Sequence, residues 1–211
     1  MRTESPVQRR GAMVFTVLLL TLSLAATAAP AARSQDEPEE PAPRSLEDPG
    51  TLHFDIARAT SEIKVDAHLD EDAWEDAGEI PLAYEWFPGD NVPPPVETTC
   101  LVAYDDQNLY VAFIARDPRP EEIRAHLMDR DNVRIFVQND HVGFQVDPFN
   151  DERRAFQFRI NPLGVQVDAV FSEIDQLEDF SWDAIWSSRG RITADGYVVE
   201  VAVPLEQLRF P

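Results

Sequence analysis

Three pairs of short apolar runs, each joined by a tight turn, constrain this chain more than any other feature of its sequence. Cys100, Val102 and Tyr104 alternate with Thr99, Leu101 and Ala103; Asp105-Asp106-Gln107-Asn108 follows, and Leu109 to Ala115 runs back. Ala155–Ile160 and Val165–Phe171 make a second pair across Asn161-Pro162-Leu163-Gly164. Arg191–Ala194 and Tyr197–Val203 make a third across Asp195-Gly196, a preferred hairpin dipeptide. Val142–Val146 reads as a further strand. A period of two with turn residues between the runs specifies antiparallel strands, and strands at this spacing predict an all-β chain, an antiparallel β-sandwich or barrel. Helical signal is thin. Asp70 is placed to cap a short helix carrying Ala73, Trp74 and Ala77, ended by Gly78, and residues 120–125 allow one more turn.

The N-terminal quarter does not share this pattern. Arg2, Arg9 and Arg10 precede an apolar stretch from Ala12 to Ala29, and Ala26-Thr27-Ala28 matches a signal-peptidase site. Residues 1–28 therefore read as a signal peptide, with an uncleaved anchor as the alternative, and the product as exported to the periplasm, outer membrane or exterior. Residues 29–50 are proline, acid and alanine with Leu46 as the one large apolar side chain, which predicts a disordered linker. Residues 51–211 suffice for one core. The apolar ending Leu208-Arg209-Phe210-Pro211 predicts a further covering strand and a sandwich incomplete at its C-terminus.

Charge and cysteine count exclude whole classes. With 18 basic and 39 acidic side chains the formal charge is −21, which opposes nucleic acid and anionic membrane surfaces as partners. The lone Cys100 excludes an internal disulfide framework and a cysteine-rich zinc site. Asp147, Asn150 and Asp151 supply oxygen ligands in one short stretch, which suits calcium; a solvated turn is the plain alternative. A glycosidase would need a carboxylate pair astride the scissile bond, and no pair is singled out here.

Ile63-Lys64-Val65-Asp66-Ala67-His68-Leu69-Asp70-Glu71-Asp72-Ala73-Trp74 resembles the opening motif of carbohydrate-binding module family 9-like domains, departing at Ala67, where the family usually has glycine. Tyr104-Asp105-Asp106-Gln107-Asn108-Leu109-Tyr110-Val111 resembles that family's hairpin, and Asp117-Pro118 falls where it commonly has the same pair. Residues 158–166, Ser181-Trp182-Asp183-Ala184-Ile185-Trp186 and Gly196-Tyr197-Val198-Val199-Glu200 are similar to a subgroup found in long exported bacterial proteins, where the module precedes a large C-terminal region. The resemblance implies a jelly-roll-like β-sandwich that holds a polysaccharide or oligosaccharide without cleaving it, often with structural calcium. The alternative is a docking module, seated on its own C-terminal region or an outer-membrane partner.

The same resemblance nominates site residues. Arg159 matches the family's sugar-contacting arginine, while Val137 and Gly143 stand where a platform tryptophan and a hydroxyl-binding glutamate are expected. Period two puts Gln157 and Arg159 on one face and Phe156, Phe158 and Ile160 on the other, so the polar face is either solvent or site. Trp86, before the bend Phe87-Pro88-Gly89, is either a core anchor or a stacking platform; Trp182 is left open between the same two roles. Trp74 and Trp186 read as core.

Overall fold

The computed structural model describes residues 54–85 and 92–208. The leader, the linker and Trp86 lie outside the described residues. The rest forms two facing sheets, as the alternation requires. In chain order the elements are β1 (Ala57–Arg58), α1 (Asp72–Glu75), β2 (Gly78–Leu82), β3 (Glu97–Tyr104), β4 (Asn108–Arg116), α2 (Val133–Phe136), β5 (Val142–Val146), β6 (Arg154–Ile160), β7 (Gln166–Ser172), β8 (Leu177–Asp179), β9 (Ser187–Thr193) and β10 (Gly196–Pro204). The larger sheet runs β1-β3-β4-β10-β9, with β2 also on β3; the smaller runs β5-β6-β7-β8. All pairings are antiparallel except β1 on β3.

Register converts the sequence pattern into two faces. On the large sheet Cys100, Phe113 and Val199 form one inward row, and Val102, Val111 and Val201 the next. Against them the small sheet presents Val142, Phe144, Phe158 and Ile160. The Phe144 and Phe158 rings stack at 5.0 Å, and Trp182 and Trp186 meet Phe158 edge-on at 5.9 and 5.3 Å. Trp186 is core, as expected; Trp182 is half-buried and stacks on Phe156 at 4.6 Å. A buried carboxylate shares this inner face. Asp168, opposite Phe158, accepts the Trp186 indole N–H at 2.7 Å and a bond from Arg130 at 2.6 Å.

The large sheet is also covered on its outer face. Ala103, Ala112 and Ala202 are small enough there for residues 59–77 to pack closely, burying Ile63 and Trp74. The anchor is Glu200, fully buried on β10. Its carboxylate accepts the backbone N–H groups of Asp66 and Ala67 at 2.8 and 2.7 Å and the Trp74 indole N–H at 3.2 Å. Ala67 adopts φ 63°, the left-handed region where glycine is favoured, which accounts for the glycine expected at that motif position. The capping expectation is corrected: α1 starts at Asp72 with Glu71 as its N-cap, and that side chain instead takes the Lys64 N–H at 3.0 Å.

Burial pushes the Glu200 carboxyl up to about 7 against its three donors, and the neighbouring Glu71 pushes the same way. Its ordinary value is 4.5, so between these limits the folded state holds a proton that the unfolded chain releases. That contribution to stability is complete below about pH 4.5 and is lost as the pH rises through about 7. Wild-type Tm should therefore fall relative to Glu200→Gln between roughly pH 5 and pH 7.5. Parallel thermal melts of the two proteins check the difference in slope, and equal slopes would refute the assignment.

Candidate functional site

The face that sequence reading left as solvent or site is buried rather than solvated. Gly143, Gln157 and Arg159 lie on the outer face of the small sheet, as period two dictates, but Gln157 and Arg159 are each only 5% exposed. A roof covers them. His141 continues the outward row of β5, and the Phe136 ring of α2 packs on its imidazole at 5.0 Å, with Phe136 fully buried. The segment carrying α2 is tied down at both ends. The Asp140 backbone N–H donates to the Arg124 carbonyl and the Arg124 backbone N–H to the Asp140 carboxylate, both at 2.8 Å, and Asp131 donates its backbone N–H to the Gln166 carbonyl on β7. Alternation separates two faces of a strand; it carries no information about which loop lies over one of them.

Beneath this roof the Arg159 guanidinium pairs with Glu178 of β8, and burial lowers its pKa to about 10. Gln157 Oε1 is buried without a hydrogen-bond partner among the described residues. Burial also lowers the His141 pKa. The array is satisfied chiefly from within the fold, and a ligand reaching Arg159 would have to displace protein. Trp182 stacks on the opposite face of β6, through Phe156, so the structure does not bring it together with Arg159.

The proposed calcium ligands do not fit a cation as they are arranged. Both oxygens of Asp147 face N–H donors: Oδ1 accepts from Phe149 and Asn150 at 3.0 Å each, Oδ2 from Asp151 at 3.0 Å and Glu152 at 2.8 Å. Asp151 in turn accepts the Arg153 N–H at 3.0 Å. These residues form a self-capped loop, in which Asn150 and Glu152 take positive φ. Among the described residues no group of three or more His, Cys, Asp or Glu side chains is placed to hold a metal ion.

Sequence reading passed over Asp168, Arg130, Glu200 and Arg189. Asp168 and Glu200 had a usable signal, an acid at a strand position whose neighbours are apolar. The two arginines had none, because loop and edge positions carry no period. A groove opens near them on the large sheet's outer face, away from Arg159.

A family model described as carbohydrate family 9 binding domain-like matches residues 65–211. No curated protein matches the sequence. Two structures of a family 9 carbohydrate-binding module from Caldicellulosiruptor kristjanssonii are similar. The one in complex with cellotriose has TM-score 0.47 and 17% identity over 71% of this chain and 66% of that one. The one in complex with glucose has TM-score 0.48 and 18% identity over 74% and 70%. A structure described as a putative carbohydrate-binding protein from Bacteroides uniformis ATCC 8492 has TM-score 0.45 and 13% identity over 64% and 63%. The chain thus spans about two thirds of the length of these structures.

Two outcomes follow from the geometry. Arg159→Ala should cost roughly 3–5 kcal/mol in urea unfolding, and adding Glu178→Ala should cost little more, since the pair acts as a unit. Additive losses would show that the two do not interact. A chelator should leave Tm within about 1 °C, because nothing in the Asp147 loop awaits a cation; a larger fall would place a metal there.

Proposed function

Because the chain belongs to the carbohydrate family 9 binding domain-like family, we propose that it binds a polysaccharide or oligosaccharide without cleaving it. The observation that supports this is the extent of the family match, which takes in α1, α2 and every strand except β1. The fold is suited to the task. A two-sheet sandwich gives a rigid frame on which side chains can be held in place for a ligand. The leader-like residues 1–28 support action outside the cytoplasm, where such polymers are met. Among the described residues no helix is long and apolar enough to cross a membrane.

A second reading, docking onto a protein partner of the envelope, is favoured by one feature. Ile174 and Leu177 are 70% and 66% exposed at or just before β8, the edge strand of the small sheet. Edge strands with apolar neighbours are natural pairing surfaces.

Native gel electrophoresis through soluble polysaccharides separates the two. Retardation by at least one polysaccharide, with no reducing ends released on long incubation, is the expected result. Unchanged mobility in every polysaccharide would leave docking as the function, and release of reducing ends would replace binding with hydrolysis.

A further inference from the structure

Residues 59–77 cover only part of the large sheet's outer face. The part left open is a groove of about 750 Å³, within the range of roughly 300–1,000 Å³ common for small-molecule sites. Tyr110 and Ala202 lie at its base. Ile63 and Val65 of the covering segment form one wall; Leu127 and Met128, with the turn before β7, form the other. Ser187 and Arg189 belong to it because register sets them opposite Ala202 and Glu200 on that face.

Its chemistry is specific in what it leaves unused. Among the described residues no carboxylate lines the groove. Arg130 is ion-paired with Asp131, Asp168 and Asp183 at 2.7, 2.6 and 2.8 Å. Arg189 is exposed, donates from Nη1 to the Ser188 carbonyl at 3.0 Å, and has no ion-pair partner among the described residues. The Ser187 hydroxyl has no hydrogen bond among the described residues. Gln166 spends its amide N–H groups on the Trp186 carbonyl and the Ser188 hydroxyl, both at 3.0 Å, which leaves Oε1 to accept. Asn108 donates to the Tyr110 hydroxyl at 3.1 Å, which leaves Oδ1 likewise.

Vacant donors and vacant acceptors therefore line one groove that also has an aliphatic wall. An anion would use only the donors and would meet the carboxylates gathered behind Arg130. A cation would use only the acceptors and would meet Arg189. A polyol uses both, since each hydroxyl donates and accepts while its C–H face packs on alkyl groups. We propose that this groove is a subsite for a neutral oligosaccharide, with Arg189, Ser187, Gln166 and Asn108 as its hydrogen-bonding groups. The proposal rests on the saccharide-binding reading and locates it on the large sheet.

The test uses the full chain and arrays of cello-, xylo-, manno- and malto-oligosaccharides, followed by titration calorimetry with the tightest binder. Arg189→Ala should weaken that ligand roughly tenfold or more, the cost of losing a charged donor, and Ser187→Tyr, which fills the groove, should do the same. Both side chains are exposed, so Tm should hold, and unchanged melts confirm that the loss is local. Wild-type affinity in both variants would overturn the groove while sparing the saccharide reading. Failure of every oligosaccharide to bind the wild-type chain would overturn the groove, and unchanged mobility in every polysaccharide as well would overturn the saccharide reading.

Discussion

The carboxylate of Glu200 is the point at which the two ends of the domain are joined. It sits on β10, a strand with neighbours on both sides, facing outward from the sandwich core, where an acid would ordinarily be solvated. Instead it collects two adjacent backbone N–H groups and an indole N–H from residues 66, 67 and 74. Left without donors, a buried carboxylate costs several kcal/mol; left without an acceptor, the turn at Asp66-Ala67 would bury two orphan amides. Each side resolves the other's penalty, so cover and sheet form together. Arg191 reinforces the same turn, donating to the Ala67 carbonyl at 3.0 Å. The position of Ile63 and Val65, and with them one wall of the groove, follows from this junction.

A second buried acid organises the other wall. Asp168 faces the inner side of the small sheet, and its partners Trp186 and Arg130 connect the aromatic core to the segment that carries α2. Burial raises its pKa, while the Trp186 and Arg130 contacts oppose that. Arg130 spans the boundary, with one nitrogen on core Asp168 and another on Asp131, whose backbone N–H caps the free end of β7. The loop above the small sheet and the strand beneath it are thus fastened through one guanidinium.

How much of this was legible depends on the range of the interaction. Hairpins were legible because a strand's faces and its turn are written in adjacent residues: Val142–Val146 and the 105–108 turn stand where alternation put them. β9 begins at Ser187, earlier than expected, because its first residues are small and polar and show no apolar period. β8 and α2 are too short for a period to register, and β2, as long as β5, has Gly78 and Pro81 breaking its alternation. The roof over Arg159 was invisible for a different reason. Phe136 belongs to a four-residue helix whose burial is decided by what lies across from it, not by its own neighbours. The motif glycine position is the converse case, where one φ angle at Ala67 explains a preference that sequence alone only records.

Two guanidiniums on opposite sheets differ in what a ligand would have to displace. Arg159 carries the family resemblance, yet its charge is already matched by Glu178 under a closed roof. Opening that pair leaves a buried charge uncompensated, at about 3–5 kcal/mol, while a hydrogen bond from a charged donor to a ligand hydroxyl returns about 1.5–3 kcal/mol. The exchange is unfavourable for a neutral sugar. Arg189 starts from water, without a carboxylate to surrender, in a groove that it shares with a hydroxyl and two amide oxygens. Recognition by a neutral, weakly held ligand favours the donor that the fold has not yet used.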